Sequence, residues 1–253
     1  MLKFPGGNNK HKAQELVYEA MDCIYHDEDK ALGLCRKALK LYPNCIDALV
    51  MIAEVECQTI AAYANAMEKA VEAGRSELGA KCFKEDKGYF WGLLETRPFM
   101  RAMMQLATSY KLMGKRYLSK AIAIFEEMLE LNPNDNQGVR DILVDCYLAD
   151  KSYDKAGKLI KQYEENSLAV FNWARVLLAY ATEGKEAADK EFKSAKKQNE
   201  YVARYLSGKK RVPKEEPQYY SPGDVSEAIY CCRVLKEAWK SHPEAKLWLK
   251  SKC

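Results

Sequence analysis

The sequence is poor in the residue patterns from which metal centres are usually built. It contains only three histidines, and its nine cysteines include no Cys-x-x-Cys pair. A structural zinc site needs closely spaced pairs of ligands, so the spacing argues against one. An odd number of dispersed cysteines also argues against a disulfide framework. We therefore expect reduced, mostly buried thiols in a cytoplasm-like compartment.

Catalytic motifs are missing as well. Gly6 and Gly7 follow no predicted strand, so they do not form a phosphate-binding loop, and no Gly-x-Ser-x-Gly motif occurs. Glu126 and Glu127 are neighbours on a predicted helix and therefore point in different directions. The polar residues around Pro133 lack the regularly spaced carboxylates of a calcium loop. We predict that the protein is not an enzyme and that it uses no cofactor and no metal.

Long apolar runs are also absent. The best runs, 49–53 and 176–181, are far shorter than the about 20 residues that cross a bilayer, so we predict no membrane span. The N-terminal residues have no apolar signal region, and we therefore expect a cytoplasmic protein. Lys and Arg number 40 and Asp and Glu 36, and the resulting net charge of +4 is too small to indicate nucleic acid by itself.

In place of strand signals, the chain shows the period of amphipathic helices and an internal repeat. A motif that begins at Ala31 has apolar residues four and seven positions later and a proline twelve positions later, and it recurs at Ala121. Looser copies begin at Tyr63, Ala156 and Ala188, so the steps are 32, 58, 35 and 32 residues. The longest step is one period plus about 24 residues. A period near 34 residues with two helices is typical of tetratricopeptide repeats.

The repeat predicts an all-α fold, a right-handed superhelical solenoid of about five helical hairpins that bury their apolar faces against one another. The predicted hairpins are 10–43, 46–75, about 98–133, 136–167 and 168–200. We expect a flexible N-terminus at 1–9, repeats over 10–204 with an irregular insertion at 76–99, a connector at 205–223, and a capping helix and tail at 224–253.

The insertion contains the aromatic segment YFWGLLETRPFM, residues 89–100. Tyr89, Phe90, Trp91 and Leu94 are predicted to cover the apolar seam that an irregular junction leaves between repeats. Pro98 suits the first turn of the next helix. The charged pair within this segment, Glu95 and Arg97, is expected to pair locally or to face a partner.

The C-terminal part carries a more particular pattern. Its residues are Asn199, Tyr201, Val202, Tyr205, Leu206, Gly208, Lys209, Gly223, Asp224, Glu227, Ala228, Ile229, Ala238 and Trp239. The pattern resembles the suppression-of-tumorigenicity-seven family and the bacterial tetratricopeptide proteins grouped with it. Segments 95–102 and 131–138 also resemble the bacterial members, so the resemblance covers about 89–250. It implies a scaffold and brings no catalytic residues; eukaryotic members carry membrane segments that this sequence lacks.

The predicted binding surface is the concave groove that the first helices of the hairpins line. We predict that the protein is a non-catalytic interaction scaffold that binds a peptide or a partner helix there. The asparagines of the clamp that holds chaperone C-terminal tails in some tetratricopeptide domains are missing, which argues against that ligand. The candidate groove residues are Arg101, Gln105, Thr108, Lys111, Asp141, Asp145, Phe171 and Arg175.

Two alternatives remain open. Residues 185–214 contain ten Lys or Arg against four acids, with tyrosines nearby. This composition is compatible with a regulator that binds nucleic acid or another polyanion, and Lys209, Lys210 and Arg211 are the candidate contacts. The interspersed acids favour an ordinary solvated surface over nucleic-acid binding. The second alternative is an adaptor or effector exported by a specialised secretion system. The sequence predicts neither the partner's identity nor the oligomeric state.

Overall fold

The computed structural model describes residues 7–165, 168–215 and 217–253, and within these ranges it contains helices, turns and connections but no strand. The predicted all-α class is confirmed. The first six residues of the expected flexible N-terminus, and residues 166–167 of the fourth predicted hairpin, lie outside the described residues. None of the described helices combines the length and the apolar character that a bilayer-crossing segment needs. The chain divides into two compact units, Met1–Asn136 and Gln137–Cys253.

Unit 1 consists of three consecutive pairs of helices, and the two helices of each pair pack against each other. A short 3-10 helix, Lys115–Tyr117, precedes the last helix. Helix α4 bends at Gly79, where φ is +67°, a value that glycine adopts without steric cost. The helices are α1 (Gly7–Cys23), α2 (Glu28–Leu41), α3 (Ile46–Glu56), α4 (Ile60–Glu85), α5 (Arg97–Leu112) and α6 (Leu118–Leu131).

Local signals explain where these helices begin. The Asp27 carboxylate accepts a hydrogen bond from the Lys30 N–H at 3.0 Å, and the Thr59 hydroxyl accepts one from the Ala62 N–H at 3.1 Å. Each satisfies a backbone donor that the first turn of a helix leaves unpaired. Pro98 lies in the first turn of α5, as the sequence predicts.

The junction between α4 and α5 is anchored by Phe90. This side chain is fully buried, and its ring centroid lies 5.1 Å from that of Phe83 and 6.3 Å from that of Phe99. The N–H groups of Gly88 and Phe90 donate to the carbonyl of Leu131, at the end of α6, at 3.0 and 3.1 Å. The junction therefore caps one helix of the third pair while it fills the space beside the other.

Only part of the predicted aromatic cover behaves as expected. Trp91 is half-buried, and its carbonyl accepts a hydrogen bond from Arg97 Nε at 2.9 Å. Tyr89 and Leu94, by contrast, are 71% and 70% exposed, so the expectation that they cover the seam is wrong. The physical reason is that Phe90, Phe83 and Phe99 already fill the available space.

Unit 2 begins with two pairs of helices, α7 with α8 and α9 with α10, and ends with shorter helices that pack on them. The capping helix and tail expected over 224–253 are corrected to three helices, of which the first two meet at Leu235 and the third has Pro243 in its first turn. The helices are α7 (Val139–Ala149), α8 (Tyr153–Gln162), α9 (Ala169–Thr182), α10 (Lys185–Gln198), α11 (Val202–Leu206), α12 (Val225–Val234), α13 (Lys236–Lys240) and α14 (Pro243–Lys252).

Two helical glycines of unit 1 make a matched test of its packing. A Cβ atom at Gly74, in α4, would lie 2.6 Å from Phe99 Cδ2 and 2.9 Å from Ile46 Cδ1, whereas one at Gly33, in α2, would meet nothing within 4 Å. We expect Gly74→Ala to lower the free energy of unfolding by about 1–3 kcal/mol through overpacking. Gly33→Ala should raise it by about 0.5–1 kcal/mol through helix propensity. Denaturant unfolding followed by circular dichroism measures both, and equal effects of the two substitutions would contradict the packing described here.

Candidate partner-binding surfaces

The first helices of the three pairs in unit 1 are tied together by one buried carboxylate. Asp47, on α3, is almost completely buried, and both its oxygens accept hydrogen bonds from Arg101 Nη2 on α5, at 2.7 and 2.8 Å. Gln14, on α1, donates to the same carboxylate at 3.1 Å. A buried charge is tolerated when it is paired and hydrogen-bonded in this way. Arg101 therefore holds neighbouring helices together. Because its guanidinium pairs with Asp47, it has less capacity to contact a partner.

Three large apolar residues at the C-terminal end of α1 and in the turn after it are exposed. Tyr18 and Met21 lie four and seven positions after Gln14, which places them on the same side of α1, and Tyr25 lies in the turn directly after the helix ends at Cys23. Their exposed fractions are 56%, 40% and 90%. Large apolar side chains in one exposed stripe are uncommon on a helix that has no partner for that side.

The corresponding side of α5 is polar. Gln105, Thr108 and Lys111 lie four, seven and ten positions after Arg101, and all three are half-buried. The predicted groove residues of α5 thus lie together on one side of a helix that contacts α3, and α3 in turn contacts α1. We call the combined surface the first-helix face of unit 1; its members are Gln14, Tyr18, Met21, Tyr25, Asp47, Arg101, Gln105, Thr108 and Lys111.

In unit 2 the predicted groove residues are covered by the chain itself, and this corrects the expectation that Asp141, Asp145 and Phe171 face an open groove. Asp145 is fully buried, and its Oδ1 accepts a hydrogen bond from the Ala238 N–H of α13 at 2.8 Å. The Tyr230 hydroxyl of α12 donates to Asp141 Oδ2 at 3.2 Å. Phe171 is completely buried on α9.

Arg175 is the one predicted groove residue of unit 2 that keeps part of its surface. Its guanidinium donates to Asn172 Oδ1 at 3.0 Å and to the carbonyl of Glu164 at 3.3 Å. These bonds hold the side chain along α9 and the end of α8. Arg175 is also among the residues that line a cavity of about 440 Å³ between α8 and α9, so it is the one predicted groove residue of unit 2 that reaches an open surface.

The cover over α7 and α9 belongs to the core of unit 2. Helices α12 and α13 direct a stripe of buried residues inward, among them Ile229, Leu235 and Trp239. Each large apolar side chain contributes about 1.5–3 kcal/mol when it is fully buried. Removal of this segment would expose the whole stripe at once, at a cost comparable to the total stability of a small domain. A peptide of ordinary affinity cannot displace it.

Glu227, on α12, is the polar centre of this arrangement. Its carboxylate is 1% exposed and accepts hydrogen bonds from the Ala169 N–H at 2.9 Å, the Gly223 N–H at 2.7 Å and Asn199 Nδ2 at 2.9 Å. Gln198 Nε2 donates to both its oxygens, at 3.2 and 3.0 Å. The carboxylate thereby joins the beginning of α9, the end of α10 and the loop before α12.

The role of Glu227 was missed by sequence reasoning, although three of the residues involved belong to the pattern on which the family resemblance rests. Asn199, Gly223 and Glu227 are all in that pattern. Asn199 Nδ2 also donates to the carbonyl of Asp224, at 2.8 Å. Asn199 is far from the other two residues in the sequence, and the hydrogen-bond network that joins the three serves the fold.

A second surface of unit 2 is strongly basic. A cavity of about 450 Å³ lies between the connector and the three C-terminal helices, and buried Tyr205 and Trp239 are among its lining residues. We call this cavity the basic cleft. Its cationic lining residues are Arg211, Lys214, Arg233, Lys236, Lys240 and Lys246.

The three predicted polyanion contacts have different surroundings. Arg211 lines the basic cleft. The ammonium group of Lys210 lies 4.8 Å from the centre of the Tyr205 ring, and that of Lys209 donates to the carbonyl of Cys253. The cations on α12, α13 and α14 that complete the cleft were missed, because they are far from 185–214 in the sequence.

The cysteines lack the features of nucleophiles. All nine are free thiols, and five of them are buried. Burial raises the pKa of Cys35 to about 11, and it also raises the pKa values of Cys231 and Cys232. These thiols therefore stay protonated at neutral pH, whereas a nucleophile or metal ligand must be a thiolate. The part of the chain that the structure describes contains no group of three side chains placed to hold a metal ion.

Comparison with known proteins assigns no relationship to this chain: no family model matches it, and no curated protein matches it. The resemblance to the suppression-of-tumorigenicity-seven family and to tetratricopeptide repeats therefore stays a prediction. The function has to be argued from the surfaces described above.

The Glu227 network can be tested with a substitution of nearly the same size. In Glu227→Gln an NH₂ group replaces one acceptor oxygen and faces the N–H donors that surrounded it, so buried donors lose their partner. We expect the free energy of unfolding to fall by about 2–4 kcal/mol. Glu200→Gln, at an exposed position on the neighbouring turn, is the control and should change it by no more than about 0.5 kcal/mol. Similar stabilities of the two variants would show that Glu227 does not organise unit 2.

Proposed function

We propose that this protein is a non-catalytic interaction scaffold of the tetratricopeptide type, and that it binds a peptide or partner helix on the first-helix face of unit 1. The observation that supports the proposal best is the exposed stripe of Tyr18, Met21 and Tyr25. Tyr18 and Met21 lie on the same side of α1 as Gln14, the residue through which α1 joins the neighbouring first helices, and Tyr25 lies in the turn directly after α1.

The composition of this face suits a protein partner. Aromatic and methionine side chains are enriched in the buried centres of protein interfaces. Tyrosine contributes a large contact area at low cost in side-chain entropy, and methionine adapts to the shape of its partner. The three-position spacing of Tyr18 and Met21 along α1 suits contact with an amphipathic helix laid beside it. Gln105, Thr108 and Lys111 supply polar contacts at the margin, and Lys111 favours an acidic group on the partner.

The contrast with unit 2 supports this choice of surface. There, α7 and α9 bind a helical segment of the same chain, with an apolar stripe in the centre and Asp145 hydrogen-bonded to a backbone N–H. First helices of this protein are therefore able to bind a helix in this manner. The proposal assigns to unit 1 the same type of contact with a segment of another protein. The exported adaptor stays a prediction that no observation favours.

The proposal is tested by site-directed photo-crosslinking. A photoreactive phenylalanine analogue is placed at Tyr25, and in a second protein at Tyr89, which is 71% exposed in the same unit but lies on the junction. We expect a discrete crosslinked protein from position 25 that is absent from position 89. A synthetic peptide from the crosslinked segment should then bind the purified protein.

Matched substitutions identify the contacts. Tyr18→Ser with Tyr25→Ser should weaken binding of that peptide by about tenfold or more, because a tyrosine in an interface often contributes more than 1 kcal/mol. Tyr89→Ser with Leu94→Ser removes a similar exposed apolar area elsewhere in unit 1 and should leave binding unchanged. Equal crosslinking from both positions, or equal affinities of the two variants, would contradict the proposal.

A further inference from the structure

We propose that the basic cleft of unit 2 binds a compact ligand that carries several phosphate groups. This inference is independent of the proposed partner-binding role, because it concerns different residues in a different unit. Its basis is the convergence of six cationic side chains on one cavity together with the shape and lining of that cavity.

The cations come from four separate parts of unit 2 and converge on the cavity. Arg211 and Lys214 lie on the connector, Arg233 on α12, Lys236 and Lys240 on α13, and Lys246 on α14. No carboxylate is among the described residues that line the cavity. Like charges brought together in this way repel one another, and an anion bound between them turns that repulsion into attraction.

Ion pairs among the described residues account for only part of this charge. Lys240 pairs with Glu237 at 3.2 Å, one turn away on the same helix. Within residues 7–165, 168–215 and 217–253, the side chains of Arg211, Lys214, Lys236 and Lys246 have no such carboxylate partner. Four of the six cations are therefore available to neutralise a ligand.

The connector side of the cleft is held in place before any ligand binds. Arg233 Nη2 donates to the carbonyls of Pro213 at 3.0 Å and Lys214 at 2.7 Å. These two bonds fix the connector against α12, and with it the backbone from which Arg211 and Lys214 project. A site that is organised in advance loses less entropy when it binds its ligand.

The size and lining of the cavity favour a compact phosphate cluster over a nucleic-acid strand. Its volume of about 450 Å³ lies in the range of small-molecule sites. Strands bound without sequence preference stack their bases on exposed aromatic faces. Here Tyr205 and Trp239 are almost completely buried, and the Lys210 ammonium lies over the Tyr205 ring. The cleft therefore offers charge without a stacking platform.

The ligand chemistry that fits is a small ring or chain with clustered phosphate groups. Arg and Lys side chains pair with phosphate oxygens through charge-assisted hydrogen bonds, and several such bonds from Arg211, Lys214, Lys236 and Lys246 can converge on one small ligand. The same chemistry occurs in a free inositol polyphosphate and in the headgroup of a phosphorylated inositol lipid. The experiment below separates these two sources.

Isothermal titration calorimetry of the full chain with inositol hexakisphosphate is the primary test. We expect one saturable site that is weakened about tenfold or more by Lys236→Glu with Lys246→Glu, since two attractive contacts become repulsive. Lys193→Glu with Lys197→Glu is the matched control, because it changes the net charge equally at exposed positions of α10 outside the cleft. This control should retain nearly full affinity. Circular dichroism confirms that both variants are folded.

Several outcomes would overturn the proposal. These are absence of saturable binding, equal weakening by the cleft variant and the control, and tighter binding of a single-stranded oligonucleotide than of inositol hexakisphosphate. Vesicles containing a phosphatidylinositol bisphosphate test the lipid source. Vesicle binding that the free headgroup abolishes would support the same cleft with a lipid ligand. Vesicle binding that is insensitive to Lys236→Glu with Lys246→Glu would contradict it.

Discussion

The burial of the apolar sides of α7 and α9 under α12 and α13 is the interaction on which unit 2 depends. A helical pair leaves one side of its first helix open, and in this unit the chain returns to cover it. The buried stripe supplies most of the stabilisation, because apolar burial is the largest favourable term in folding. Glu227 and Asp145 make this packing more specific. Their hydrogen bonds with backbone N–H groups fix the position and orientation of α12 and α13. Without those bonds, the apolar stripe alone would permit several registers.

In unit 1 the first helices are joined by an ion pair and its hydrogen bonds. They are joined at one end of their exposed side by the buried Asp47 carboxylate with Arg101 and Gln14. This arrangement joins α1, α3 and α5, and Tyr18 and Met21 on the same side of α1 stay exposed. A polar contact between helices leaves the neighbouring side chains exposed, whereas an apolar covering segment buries them. The two units use the same kind of helical pair and differ in what closes its open side.

The sequence predicted the positions of the helices better than the contacts that their residues make. Periodicity located the helical pairs, and Pro98 marked a helix start correctly, because such a signal acts within one turn. A capping helix was predicted after residue 223, but no local pattern shows that this segment packs onto α7 and α9, which are far away in the chain. Arg101 was read as a groove residue because its partner, Asp47, is 54 residues distant. The basic cleft was not predicted for the same reason, because half of its cations lie on α12 and α13 and are separated in the sequence from those on the connector.

The segment of α12 and α13 that covers α7 and α9 also forms one wall of the basic cleft. Along α12 and α13 the buried residues are apolar apart from Glu227, and Arg233, Lys236 and Lys240 line the cleft. Helical geometry makes this division unavoidable, because residues three and four positions apart share a side and the residues between them point away. A segment that only had to cover α7 and α9 would need no particular charge on its outer side. The concentration of cations there, facing further cations on the connector and on α14, is what a covering role leaves unexplained and an anionic ligand accounts for.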